Sequence, residues 1–120
     1  MKINEFIGML FLARDVTHSA HLNTKSYAQH KALEGFYSSI IDLADSLAET
    51  YQGRHGLMGP VGLLQSKKAG DPLNFLEDQM KILEECRFEV CTKTDTPIQN
   101  IIDEIIGLYL STIYKLRFLS

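Results

Sequence analysis

Four side chains invite a chemical reading first: His30, Glu34, Asp45 and Glu49, all within "HKALEGFYSSIIDLADSLAE". His30/Glu34 and Asp45/Glu49 are each i, i+4 pairs, and residues at that spacing on a helix can share one ligand. Imidazole nitrogen mixed with carboxylate oxygen suits iron(II) or zinc, whereas an all-carboxylate set would favour calcium or magnesium. His18 and His21, an i, i+3 pair just upstream, add imidazoles that can face the same end as His30.

With His30 at zero and about 100° per residue, Glu34 falls near 40°, Asp45 near 60° and Glu49 near 100°. The apolar residues Leu43, Leu47, Ile40, Tyr51 and Tyr37 centre near 280° by the same count, so the ligand stripe lies beside the core face. Gly35, Ser38, Ser39, Ser46 and Ala28 flank the stripe, and small residues let another helix come close. The two pairs stand about 22 Å apart along the helix. One ion with bonds near 2.0–2.2 Å cannot span that gap. A two-fold axis through the middle of the helix removes the difficulty. It lays two copies antiparallel, so the His pair of one meets the acidic pair of the other, and one isologous interface completes two sites.

The elements that must hold these residues read as helices. Residues 3–22 carry Ile3, Phe6, Ile7, Leu10 and Phe11 at three-to-four spacing. Thr24 or Ser26 caps a second helix over 26–51. Asp71 followed by Pro72 starts a third, which runs to about Val90. Asp95 or Thr96, with Pro97 next, starts a fourth that fills the rest of the chain with Ile98, Ile102, Ile105 and Tyr109. "QGRHGLMGPVGLLQSKKAGDP" is a long connection, with room for at most one short helix around Leu63–Lys67. Two short connections and one long middle connection predict an all-α, ferritin-like four-helix bundle with a crossover between helices two and three.

The 120 residues fit a single domain, 1–120, and 45% hydrophobic content is enough for one modest core. Net charge is −3, with no basic block, which argues against a nucleic-acid partner. No apolar run approaches the roughly 18 residues of a membrane span, and Glu5, Arg14 and Asp15 interrupt the N-terminal stretch. Cys86 and Cys91 read as reduced thiols. The expectation is a soluble, cytoplasmic protein. His55, in "QGRHG", reads as a lone loop histidine. Glu84/Glu85 and Asp103/Glu104 read as solvated helix faces. There is no HExxH, P-loop or GxSxG motif, nor the Glu-x-x-His of ferritins proper.

In residues 18–49 the chain resembles the Dps family, the ferritin-like "DNA-binding proteins from starved cells". His21-Leu22-Asn23 stands for the family's His-Trp-Asn-type motif near the end of the first helix. His30 is followed by an acid four residues on, Glu34, then Asp45 and Glu49 at offsets fifteen and nineteen, in "DLADSLAE". Counting back from His30 without a gap selects His18 as the first imidazole, whereas the Asn-containing motif selects His21. The resemblance implies an intersubunit ferroxidase site: His21, His30 and Glu34 from one chain, Asp45 and Glu49 from its two-fold mate. Iron(II) would be bound there and oxidised by peroxide or oxygen, within a homo-oligomer that in the family reaches a dodecameric shell. The family's basic tail is missing here, so its DNA binding is not carried over. The alternative is a non-enzymatic helical-bundle assembly or interaction protein with a vestigial or zinc-binding site.

Overall fold

Three of the four helices begin where a side chain accepts a backbone N–H at the start. In this computed structural model, which describes residues 1–66 and 70–120, α1 spans Ile3–Asn23, and the Glu5 carboxylate accepts the Lys2 N–H at 3.0 Å. α2 spans Tyr27–His55; Ser26, one of the two expected caps, accepts the Gln29 N–H at 3.2 Å. α3 spans Pro72–Val90 behind Asp71, which accepts the Leu73 N–H at 3.1 Å. α4 spans Thr96–Phe118 with Asp95 at its N-cap position, but the Asp95 side chain makes no capping bond. Such a bond satisfies an otherwise orphaned donor and contributes about 1 kcal/mol.

Two boundaries differ from the sequence reading. α2 continues past residue 51 to His55, so His55 is helical and not in a loop. Gly56 stops the helix at φ +87°, a conformation that glycine adopts without penalty. No short helix forms over residues 63–66; Lys67, the end of that expected segment, lies outside the described residues.

The chain ends of the helices define the topology. The amino group of Met1, before α1, pairs with Glu89 near the end of α3. Arg117, at the end of α4, pairs with Glu77 near the start of α3 at 2.7 Å. Arg54, at the end of α2, pairs with Asp95, before α4, at 3.1 Å. α1 and α4 therefore run one way, α2 and α3 the other. Helix contacts join α1 to α2 and α3, and α4 to α2 and α3, so α2 and α3 stand diagonally across the bundle. The chain must travel the length of the molecule between them. The 29 residues of α2 span about 43 Å, and residues 56–71 have the reach at about 3.3–3.6 Å each. The first part of this connection lies against α1: Asn4 donates to the Met58 carbonyl at 3.2 Å, and Gly8 sits under the Gly62 carbonyl. The all-α four-helix bundle with its long connection between helices two and three is thus present.

Phe6, Leu10, Phe36, Ile40, Leu76, Leu83, Ile102 and Tyr109 meet in the core. The core contains one polar relay. Tyr109 donates its hydroxyl to Gln79 Oε1 at 2.7 Å, and Gln79 donates to the Met9 carbonyl at 3.1 Å. At the α3–α4 turn, Arg87 donates to the Gln99 side chain and carbonyl, and Gln99 Nε2 donates back to the Cys91 carbonyl at 2.9 Å. Among the described residues, no helix is long and apolar enough to cross a membrane.

Candidate functional site

The turn of residues 24–26 is so short that the last turn of α1 and the first turn of α2 face each other. His21 and His30 meet across it, with ring centroids 3.6 Å apart and nearly parallel planes. His21 Nδ1 lies 2.7 Å from the His30 carbonyl oxygen, and His30 Nδ1 lies 2.9 Å from the His21 carbonyl oxygen. A carbonyl oxygen only accepts, so each Nδ1 must carry the proton. In the neutral rings this leaves both Nε2 atoms with free lone pairs, the usual way a metal-binding histidine is oriented. His21 is buried, and His30 half-buried.

His18 is placed differently. It stacks on Tyr37 at 4.2 Å and stands 6.0 Å from the His21 ring. Of the two alternatives for the first imidazole, His21 is the one paired with His30.

Glu34, one turn beyond His30, accepts from Lys31 at 3.2 Å. Lys31 holds its carboxyl below the usual carboxylate range, first by this bond and then by its charge, with His21 and His30 adding to the effect.

Asp45 and Glu49 do not join this group. Both are exposed on α2, roughly 22 Å and more from His30 along the helix. Gly35, Ser38, Ser39 and Ser46 are exposed on the same helix, and the space around Gly35 is open. One chain thus brings His21 and His30 together, with Glu34 one turn on in its ion pair with Lys31, while Asp45 and Glu49 lie on an open helix face.

A second cluster was not legible as one. Among the described residues, His55, Cys91 and Asp95 form the one group of three His, Cys, Asp or Glu residues whose ligand atoms lie within 4.8 Å of one another. They come from the end of α2 and from the α3–α4 turn. The spacing of Cys91 and Asp95 is a weak signal in the sequence, and nothing local ties either residue to His55.

Comparison with known proteins places the chain by another route. The model of DUF5856, a family of unknown function, matches residues 21–116. The chain belongs to DUF5856. The "Uncharacterized 14.6 kDa protein in mobD-ri intergenic region" of Enterobacteria phage T4 is 32% identical over 115 residues, covering 96% of this chain and 88% of that protein. No solved structure matches. The DUF5856 match corrects the resemblance to Dps: the family found is a different one. The likeness rested on a few ligand-type residues at helical offsets, and an acidic stripe beside a histidine is too small a constellation to define a family. The DUF5856 segment contains His21, His30, Glu34, Asp45 and Glu49 as well as His55, Cys91 and Asp95; His18 precedes it.

Proposed function

We propose that this protein binds iron(II) as a two-fold dimer and oxidises it between the protomers. His21, His30 and Glu34 of one protomer supply the nitrogen side of the site. Asp45 and Glu49 of the second copy supply further oxygen ligands. The observation that carries this reading is the reciprocal locking of His21 and His30 through Nδ1, which orders two imidazoles and leaves their Nε2 atoms to a ligand. A mixed imidazole and carboxylate set suits a borderline divalent ion such as iron(II). Peroxide is the simplest oxidant: two iron(II) ions each give one electron, the O–O bond breaks, and two protons complete two waters. Oxygen is the alternative acceptor.

The exposed, small-residue face of α2 supports the dimer half of the proposal. Among the described residues, Asp45 and Glu49 make no hydrogen bond or ion pair through their side chains, and an antiparallel copy of α2 would bring them to the imidazoles. Anaerobic titration with iron(II) tests the reading. Saturable binding that disappears in Asp45→Ala/Glu49→Ala is the expected result. Binding unaffected by that double change, or no saturable binding at all, refutes it.

A non-enzymatic assembly protein, with zinc in place of iron, is the second reading. The Lys31–Glu34 ion pair favours it, because it already occupies the carboxylate nearest the imidazoles. Metal analysis of the purified protein, with its mass in solution, separates the two readings. Bound zinc without peroxide-dependent iron oxidation selects the second.

A further inference from the structure

At the opposite end of α2 from the imidazole pair, we propose a separate zinc site built from His55 Nε2, Cys91 Sγ and an Asp95 carboxylate oxygen. Cys91 Sγ lies 3.0 Å from Asp95 Oδ2 and 3.7 Å from His55 Nε2, and His55 Nε2 lies 3.6 Å from the same oxygen. Bonds of about 2.3 Å to sulfur and 2.0–2.2 Å to nitrogen and oxygen, at tetrahedral angles, put ligand atoms roughly 3.3–3.6 Å apart. The three atoms already have nearly that spacing.

Two independent features of Asp95 point to a ligand. It occupies the N-cap position of α4, where an aspartate normally bonds a backbone N–H, yet its side chain makes no such bond. Only 7% of the side chain is exposed, and its buried Oδ1 has no hydrogen-bond partner among the described residues. A buried carboxylate oxygen without a partner is costly. Asp95 therefore keeps acceptor capacity beyond what Cys91, His55 and Arg54 use.

The remaining surroundings fit a cation. Arg54 places its guanidinium 3.1 Å from Asp95 Oδ2 and is itself largely exposed, so it balances the carboxylate in the metal-free protein and can turn to solvent when an ion arrives. Tyr51 packs on the His55 ring at 4.5 Å and holds it at the cluster. His55 also borders an open cleft of about 360 Å³, which gives water access for the fourth position. On binding, the Cys91 S–H bond breaks, a Zn–S bond forms, and the proton leaves to solvent.

Thiolate with imidazole and one carboxylate favours zinc over calcium, magnesium or manganese. A nucleophilic cysteine is the competing use of such a triad. The Cys91 side chain is buried, whereas a nucleophilic cysteine is at least partly exposed.

Cobalt(II), which takes zinc sites and shows a thiolate-to-metal absorption band, is the probe. The full chain titrated with cobalt(II) should develop this band to one equivalent, and zinc should abolish it. The iron site proposed above has no sulfur and is silent in this band, so the two proposals are read separately. Cys86→Ala should leave the band, Cys91→Ser should remove it, and His55→Gln should weaken zinc binding at least about tenfold, with helix content unchanged by circular dichroism. His55 is partly exposed, so that variant reports even where Cys91→Ser fails to fold. No band in the wild-type protein, a band surviving Cys91→Ser, or unchanged zinc affinity in His55→Gln overturns the proposal.

Discussion

His21 and His30 each give an Nδ1 proton to the other's backbone carbonyl, across a turn of three residues. The pair fastens α1 to α2 and orients two Nε2 atoms at once, so structure and the proposed metal binding rest on the same two bonds.

Removing either ring should therefore affect both properties. His21 is buried, and His21→Ala removes a buried ring and one of the two bonds that tie α1 to α2, a cost of about 0.5–3 kcal/mol, although the His30 carbonyl keeps its helical donor inside α2. His30→Ala, at a half-buried position, should cost less. Both should lower iron(II) affinity at least about tenfold. Urea unfolding and anaerobic titration of the same samples measure the two effects.

Asp45→Ala and Glu49→Ala should leave stability within about 0.5 kcal/mol, because both residues are exposed and their side chains bond to none of the described residues. A mixed dimer gives a sharper expectation. A chain lacking both histidines and a chain lacking both acids should each fail to bind iron(II) alone. Mixed, they should recover one working site per heterodimer, since one interface half keeps its histidines and faces intact acids. Titration of the separate and combined chains reads this directly.

Gly8→Ala should destabilise the protein although alanine is the better helix former. A Cβ there would lie 2.9 Å from the Gly62 carbonyl oxygen, a backbone atom of the connection. The gain in helix propensity is about 0.5–1 kcal/mol, and displacing packed structure costs about 1–3 kcal/mol. Gly107→Ala is the control: nothing lies near its added Cβ, so it should stabilise by the propensity term alone. Melting temperatures of the two variants should move in opposite directions.

Tyr109→Phe should cost about 1–3 kcal/mol by leaving the buried Gln79 Oε1 without its donor. Burial raises the Tyr109 pKa from an ordinary value of 10.0. A group whose pKa is raised on folding contributes stability below its unfolded pKa, and that contribution fades as pH rises above it. Wild-type stability should therefore decline above pH 10 by a component that Tyr109→Phe lacks. Denaturant midpoints between pH 8 and 11 test this.

The helices were readable because burial follows the 3.6-residue period. Ile98, Ile102, Ile105 and Tyr109 point where the pattern places them, and Asp71–Pro72 starts α3 as its chemistry requires. The end of α2 was not, because Gly53, Arg54 and Gly56 look like loop residues. The helix nonetheless continues until Gly56 takes a positive φ. His21 and His18 could not be told apart by spacing alone; the length of the turn decides which ring reaches His30. The cluster at the other end was hidden for a different reason. Cys91 and Asp95 straddle a helix break, and the chain returns to them from His55 only after the whole connection and α3.

The diagonal placement of α2 and α3 makes the molecule two antiparallel hairpins, α1–α2 and α3–α4, docked side by side and linked covalently by residues 56–71 alone. Contacts inside each hairpin are close in sequence and form early at little entropic cost, whereas docking must wait for both. A chain nicked in the connection would separate into two fragments, each carrying one apolar stripe that only the other can cover. The imidazole pair would stay within the first fragment, while the His55–Cys91–Asp95 cluster would be divided between them and re-form only on reassembly.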